Sequence, residues 1–151
     1  MGVVLLGEDI YKAFMHGPEH GIELFHGFTY SGHPVAAAAG LATLEVYREE
    51  GTFAQARELE SMFAEELHQF DHYLKVIDLR DIGLMGTIEL EPRKGSSGAR
   101  GVEVHKQCFW EEDLVIRNNM DIFQFSPFLN SRPADLRHTF AAVKRVIDKV
   151  A

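Results

Sequence analysis

The stretch KVIDLRDIGLMGTIELE, residues 75–91, constrains this chain more than any other. Its apolar residues recur at the two-residue period of a strand, whereas the segments before it follow a helical period. It reads as two strands, over residues 76–80 and 84–91, with Gly83 marking a turn and Gly86 a kink. A strand pair embedded among amphipathic helices points to an α+β unit built on a small, largely antiparallel sheet.

The remaining punctuation agrees with that class. Pro34 suits the first position of a helix, where its missing N–H costs nothing. That helix is expected to run to about residue 50, with Gly51 as its C-terminal cap. Thr52 can cap a second helix, in which Phe53, Ala56, Leu59, Met62, Phe63, Glu66 and Leu67 place apolar groups mostly on one stripe. PRKGSSGARG reads as a polar loop. A helix is expected over 102–112, then strands over 114–117 and 121–125. Pro133 opens a last helix carrying Leu136, Phe140, Val143, Val146 and Ile147. Upstream, residues 2–6 read as an apolar strand and 8–15 as a short helix broken by HGPEHG. Residues 22–28 read as extended or loop. The expected organisation is the edge of a larger α/β domain (1–33), a connecting helix (34–52) and a small α+β domain (53–151). MGVVLL starts as if in mid-fold, which suggests part of something larger.

Composition narrows the function. The net charge of -8, without any run of basic residues, argues against a nucleic-acid partner. No apolar run approaches the roughly 20 residues of a membrane span, so no membrane partner is expected. The first residues lack the basic region and cleavage site of a signal peptide. A single cysteine, Cys108, cannot form an internal disulfide, which fits a reducing cytoplasm. A cytoplasmic enzyme or interaction domain remains.

Several constellations could carry chemistry. His16-Gly-Pro-Glu-His20 matches the H-x-x-E-H zinc pattern formally, but Pro18 breaks the helix that would align both histidines, which favours a polar turn. Cys108, expected within a helix, reads as a packed small hydrophobe rather than a nucleophile. The acidic runs Glu49-Glu50 and Glu111-Glu112-Asp113 read as solvated helix ends. Arg117 ends the apolar strand LVIR, where a guanidinium fork can meet a carboxylate; the alternative is a solvated strand-end arginine. HGFTYSGHP, residues 26–34, sets Thr29 and Ser31 between Gly27 and Gly32, just ahead of a helix N-terminus. Unpaired N–H groups there suit a phosphate or carboxylate, the alternative being an ordinary capped entry.

HGFTYSGHPVAAAAGLATLEVYREEG resembles the class III pyridoxal-phosphate aminotransferases, particularly their ω-amino acid:pyruvate (β-alanine:pyruvate) branch, in which T-[YF]-x-G-[NH]-P before an alanine-rich helix is distinctive. The resemblance continues in order through IYKAF, VIDLRDIGLMGTIELEPR, the loop ending in ARG, and LVIRNNMDIFQFSP. It implies the C-terminal portion of a fold type I enzyme with pyridoxal 5'-phosphate as cofactor. It also implies a homodimer or higher homo-oligomer, with an amino donor and pyruvate as small-molecule partners. Thr29 matches the threonine that binds the cofactor phosphate across the dimer interface. Gly27, Phe28 and Tyr30 match the loop around it, with Tyr30 a supporting cofactor-binding residue. Arg117 matches the arginine that receives the substrate carboxylate. The lysine that binds the cofactor covalently and the acid that pairs with its ring nitrogen lie upstream in the family. By this resemblance the 151 residues alone are expected to be inactive. Where the family reads R-x-T-G-D this chain has Arg117-Asn-Asn-Met-Asp121, and Met120 narrows the backbone freedom glycine would give. A competing expectation is a non-catalytic binding or assembly module derived from the small domain. A zinc hydrolase using His16 and His20 is the third.

Overall fold

The computed structural model describes residues 2–21 and 27–150, and the chain divides into two units, residues 1–49 and 50–151.

The first unit contains helices α1 (Glu8–Phe14) and α2 (Pro34–Glu49). Pro34 takes the first helical position as its fixed φ allows, and His33 O accepts the Ala37 N–H at 3.0 Å. Neither helix buries a residue. Residues 2–6 form no strand, contrary to the sequence reading, and Val3, Val4 and Leu5 are exposed. Apolar composition does not make a strand without a neighbour to complete its hydrogen-bond ladder. HGPEHG ends α1 as read, in a turn closed by Gly21 N–H to Pro18 O at 2.7 Å. The extended segment expected over 22–28 falls mostly outside the described residues.

The second unit has the order α3 (Thr52–His68), a 3-10 turn (Gln69–His72), β1 (Val76–Ile82), β2 (Met85–Leu90), α4 (Ala99–Glu112), β3 (Arg117–Asn119), β4 (Ile122–Phe125) and α5 (Pro133–Val150). Gly51 precedes α3 with φ 63, in the left-handed region, whereas Thr52 makes no capping bond and is instead a buried first-turn residue. The sheet is antiparallel throughout, in the order β1-β2-β4-β3. Both expected strands after α4 start late. Residues 114–116 lie outside the ladder, and β3 begins only at Arg117, opposite Gln124. Asp121 belongs to the turn between β3 and β4. In turn, α4 begins at Ala99, inside the stretch expected to be loop.

One face of this sheet forms the core with α3, α4 and α5. Gly86, Ile88 and Leu90 of β2 and Phe123 and Phe125 of β4 point into it. Phe140 of α5 lies 5.3 Å from Phe63 in an edge-on contact and 5.2 Å from Phe125, ring centre to ring centre. Burial of each such side chain contributes roughly 1.5–3 kcal/mol. Glycine at 86 has a specific reason: a Cβ there would stand 2.9 Å from both Leu67 and Phe63. Cys108 is wholly buried, as its reading as a small hydrophobe anticipated.

Candidate functional site

The turn before α2 lies in the first unit. Ser31 N–H donates to Phe28 O at 2.9 Å, and Gly32 follows with φ 69, a left-handed value that favours glycine. The hydroxyls of Thr29 and Ser31 are engaged by no described residue, and Tyr30 is exposed. A Cβ at Gly27 or Gly32 would meet nothing within 4 Å, so the turn is open. No acidic side chain lies in the first turn of α2. Two hydroxyls with no partner among the described residues, ahead of a 16-residue helix with no acid in its first turn, are groups that can accommodate a phosphate.

Arg117 lies in the second unit, at the start of β3, the outermost strand beside β4. Its position is fixed from behind: His105 of α4 donates from Nδ1 to Ile116 O at 2.9 Å. Two concavities meet at Arg117. One, of about 710 Å³, has Phe63 and Phe140 in its apolar wall and Arg132 and Asp135 on its polar side. The other, of about 420 Å³, lies over β1 and β2 and includes Arg80 and Thr87. Gln124, Phe125 and Ser126 border both.

Charge separates the three arginines on these walls. Arg80 is held by Asp78 at 3.0 Å and Glu89 at 3.1 Å. Arg132 donates from two guanidinium nitrogens to both oxygens of Asp135, each at 2.8 Å. These bonds hold the Asp135 carboxyl below the usual carboxylate range. Arg117 has no carboxylate partner among the described residues. At these two concavities, an uncommitted guanidinium flanked by two neutralised ones suits an external carboxylate.

Three supporting residues escape a reading of the sequence. The buried Asp121 carboxylate accepts N–H bonds from Gly98 at 2.6 Å and Gly101 at 2.8 Å, capping α4 from the β3–β4 turn. Arg100 is buried and donates to Glu91 O at 2.9 Å and Val150 O at 3.0 Å, tying the loop after β2 to the end of α5. His105 is the third. Each acts on a partner nine or more positions away, which no local pattern marks. The Arg-x-x-x-Asp spacing was the one available signal for Asp121. His16 and His20 lie in an irregular segment rather than on a helix, and no group of three metal-binding side chains occurs among the described residues.

Comparison with known proteins covers almost the whole chain. Residues 2–147 match the family model for class III aminotransferases. An omega-aminotransferase of Caulobacter vibrioides is 44% identical over 149 residues, covering 99% of this chain and 34% of that protein. A beta-alanine–pyruvate aminotransferase of Pseudomonas aeruginosa is 39% identical over 153 residues, covering 100% of this chain and 34% of its own length. The chain thus spans about a third of these relatives. A thermostable omega transaminase from Pseudomonas jessenii superposes with a TM-score of 0.77 at 27% identity, over 85% of this chain and 30% of the other. On a family match running from residue 2 to residue 147, this chain belongs to the class III aminotransferases.

Proposed function

We propose that this chain is the C-terminal part of a pyridoxal-phosphate-dependent enzyme that transfers an amino group from an ω-amino acid or amine to pyruvate. In this reading residues 1–33 end the large domain, 34–52 form the connecting helix and 53–151 the small domain. The observation that carries it is Arg117, uncommitted between two neutralised arginines at the meeting of two concavities. Thr29 supplies a hydroxyl and Tyr30 a flanking ring to the phosphate of the cofactor, with the α2 N-terminus adding its partial positive charge. When bound, the cofactor supplies the electron sink for amino-group transfer. Arg117 orients a donor through its carboxylate, so that the amino end points away from the guanidinium. The exposed apolar side chains of Val115 and Phe128 in the larger concavity stay within reach of donors lacking a carboxylate.

Donor selectivity in the full-length protein tests this reading. Arg117→Ala should raise KM for β-alanine by about 30-fold, the loss of one charged hydrogen-bonding pair, and leave KM for benzylamine within twofold. Equal effects on the two donors would remove Arg117 from carboxylate recognition. The 151-residue chain alone, incubated with pyridoxal phosphate and borohydride, should acquire no label at a single lysine; stoichiometric labelling with turnover would overturn its dependence on an upstream lysine.

Self-association is the second element of the proposal. Leu41 and Leu44 of α2, three positions apart on one helical face, are exposed at 64% and 61%, an apolar surface suited to burial in a homo-oligomer. A clean monomer of the full-length protein in sedimentation at high concentration would count against it.

A further inference from the structure

The strand register sets Arg80, Thr87, Gln124 and Arg117 in one row across all four strands, on the face away from the core. The row is asymmetric. At the β1 end, Arg80 donates from Nε to Thr87 Oγ1 at 3.2 Å and is neutralised by Asp78 and Glu89. At the β3 end, Arg117 has neither an acid nor a hydroxyl partner among the described residues, and its directly paired neighbour is Gln124. The Gln124 side chain is half-buried, borders both concavities and is engaged by no described residue.

Directly paired residues on one face of an antiparallel pair hold their Cβ atoms about 5 Å apart. A guanidinium and a carboxamide at that spacing can donate to the same small anion. Glutamate at 124 would instead pair with Arg117, as Glu89 pairs with Arg80, and cancel the charge. Glutamine keeps the hydrogen-bonding shape and leaves the charge available.

We propose that Gln124 is a second specificity-determining residue, donating from its carboxamide to the donor carboxylate that Arg117 neutralises. The inference rests on the reading of Arg117 given above, and the two are separable by experiment. In the full-length protein, Gln124→Leu should raise KM for β-alanine about tenfold, the loss of one hydrogen bond to a charged group. Gln124→Glu, nearly isosteric, should raise it about 100-fold by occupying Arg117. KM for benzylamine and kcat for both donors should stay within twofold. Propionate, a carboxylate without an amino group, should protect the parent protein against thermal unfolding and protect both variants less. If Gln124→Leu does not fold, the Glu variant and the propionate titration carry the test. Arg117→Ala acting selectively on β-alanine while both Gln124 variants leave it unchanged overturns the role of Gln124 alone. Arg117→Ala acting equally on both donors overturns the reading beneath it. Gln124 variants that weaken both donors equally also overturn the proposal, since they reveal a structural role.

Discussion

The carboxylate of Asp121 accepts the backbone N–H of Gly101 at 2.8 Å, across twenty positions of sequence. Its other oxygen accepts from Gly98 at 2.6 Å, so a turn residue of the β3–β4 hairpin caps α4, which has no local side-chain cap. The approach is close enough that a Cβ on Gly101 would stand 1.9 Å from Met120 O. Hairpin and helix are joined at this point, and the hairpin carries Arg117 and Gln124.

Asp121→Ala should therefore cost about 3 kcal/mol, since two charge-assisted bonds are lost and two N–H groups are left buried. Urea unfolding measures it. Gly101→Ala should cost at least as much, because backbone rather than a movable side chain stands in the way. Loss of less than about 0.5 kcal/mol in both variants would show that the cap is not a determinant of this fold.

Met120 is the first of two residues joining β3 and β4 and has φ 56. The equivalent position between β1 and β2 is Gly83, at φ 59. The left-handed region costs a side-chain-bearing residue roughly 1–2 kcal/mol, against roughly 0.5–1 kcal/mol of chain entropy for glycine. Met120→Gly should accordingly raise stability by about 0.5–1 kcal/mol, read as a higher urea midpoint with an unchanged slope. A lower midpoint would mean that the contact of Met120 with Gly98 outweighs the strain.

Burial pushes the Cys108 thiol up to about 12, with the nearby Glu112 charge adding to the effect. At pH 8 only about one molecule in ten thousand carries the thiolate. Iodoacetamide should leave Cys108 unmodified in the native chain and label it on unfolding in urea. The raised value also sets a sign: the thiol's contribution to stability is complete below about pH 9 and is lost as pH rises toward 12. Rapid native labelling at pH 8 would contradict the burial.

Acid should destabilise the second unit by a traceable route. Hydrogen bonds from Arg145 hold Glu112 below its ordinary 4.5, Lys75 does the same for Glu91, and Arg132 lowers Asp135 from 3.8. Groups lowered in the fold stabilise it above their ordinary values, and that contribution disappears as pH falls through the folded ones. The urea midpoint should fall from about pH 4.5 downward, and Arg145→Ala should flatten the part due to Glu112. An unchanged pH profile in that variant would remove the pair from the acid response.

Much of the framework was legible in the residues themselves. Pro34 and Pro133 mark helix starts because a fixed φ and a missing N–H act locally. The period of residues 75–91 gives two strands because alternation follows from the pleat. The turn at 27–33 was visible as hydroxyls and glycines before a helix, whereas Arg117, read as the last residue of a strand over 114–117, instead opens β3.

What the residues alone determined were these local features, set by dihedral preferences and side-chain period over a few neighbouring positions. Tertiary structure decided the rest. Residues 2–6 are apolar yet form no strand, because a ladder needs a partner that composition cannot supply. Helix α4 starts at Ala99, within a stretch that reads as loop, because Asp121 reaches its first turn from twenty positions away. Arg132 is neutralised locally, by Asp135 three positions on, but Thr87 and Glu89 reach Arg80 and Gln124 stands beside Arg117 because pairing register brings together residues that sequence keeps apart. Register and long-range capping depend on which surfaces meet in the fold, and no local propensity encodes that choice.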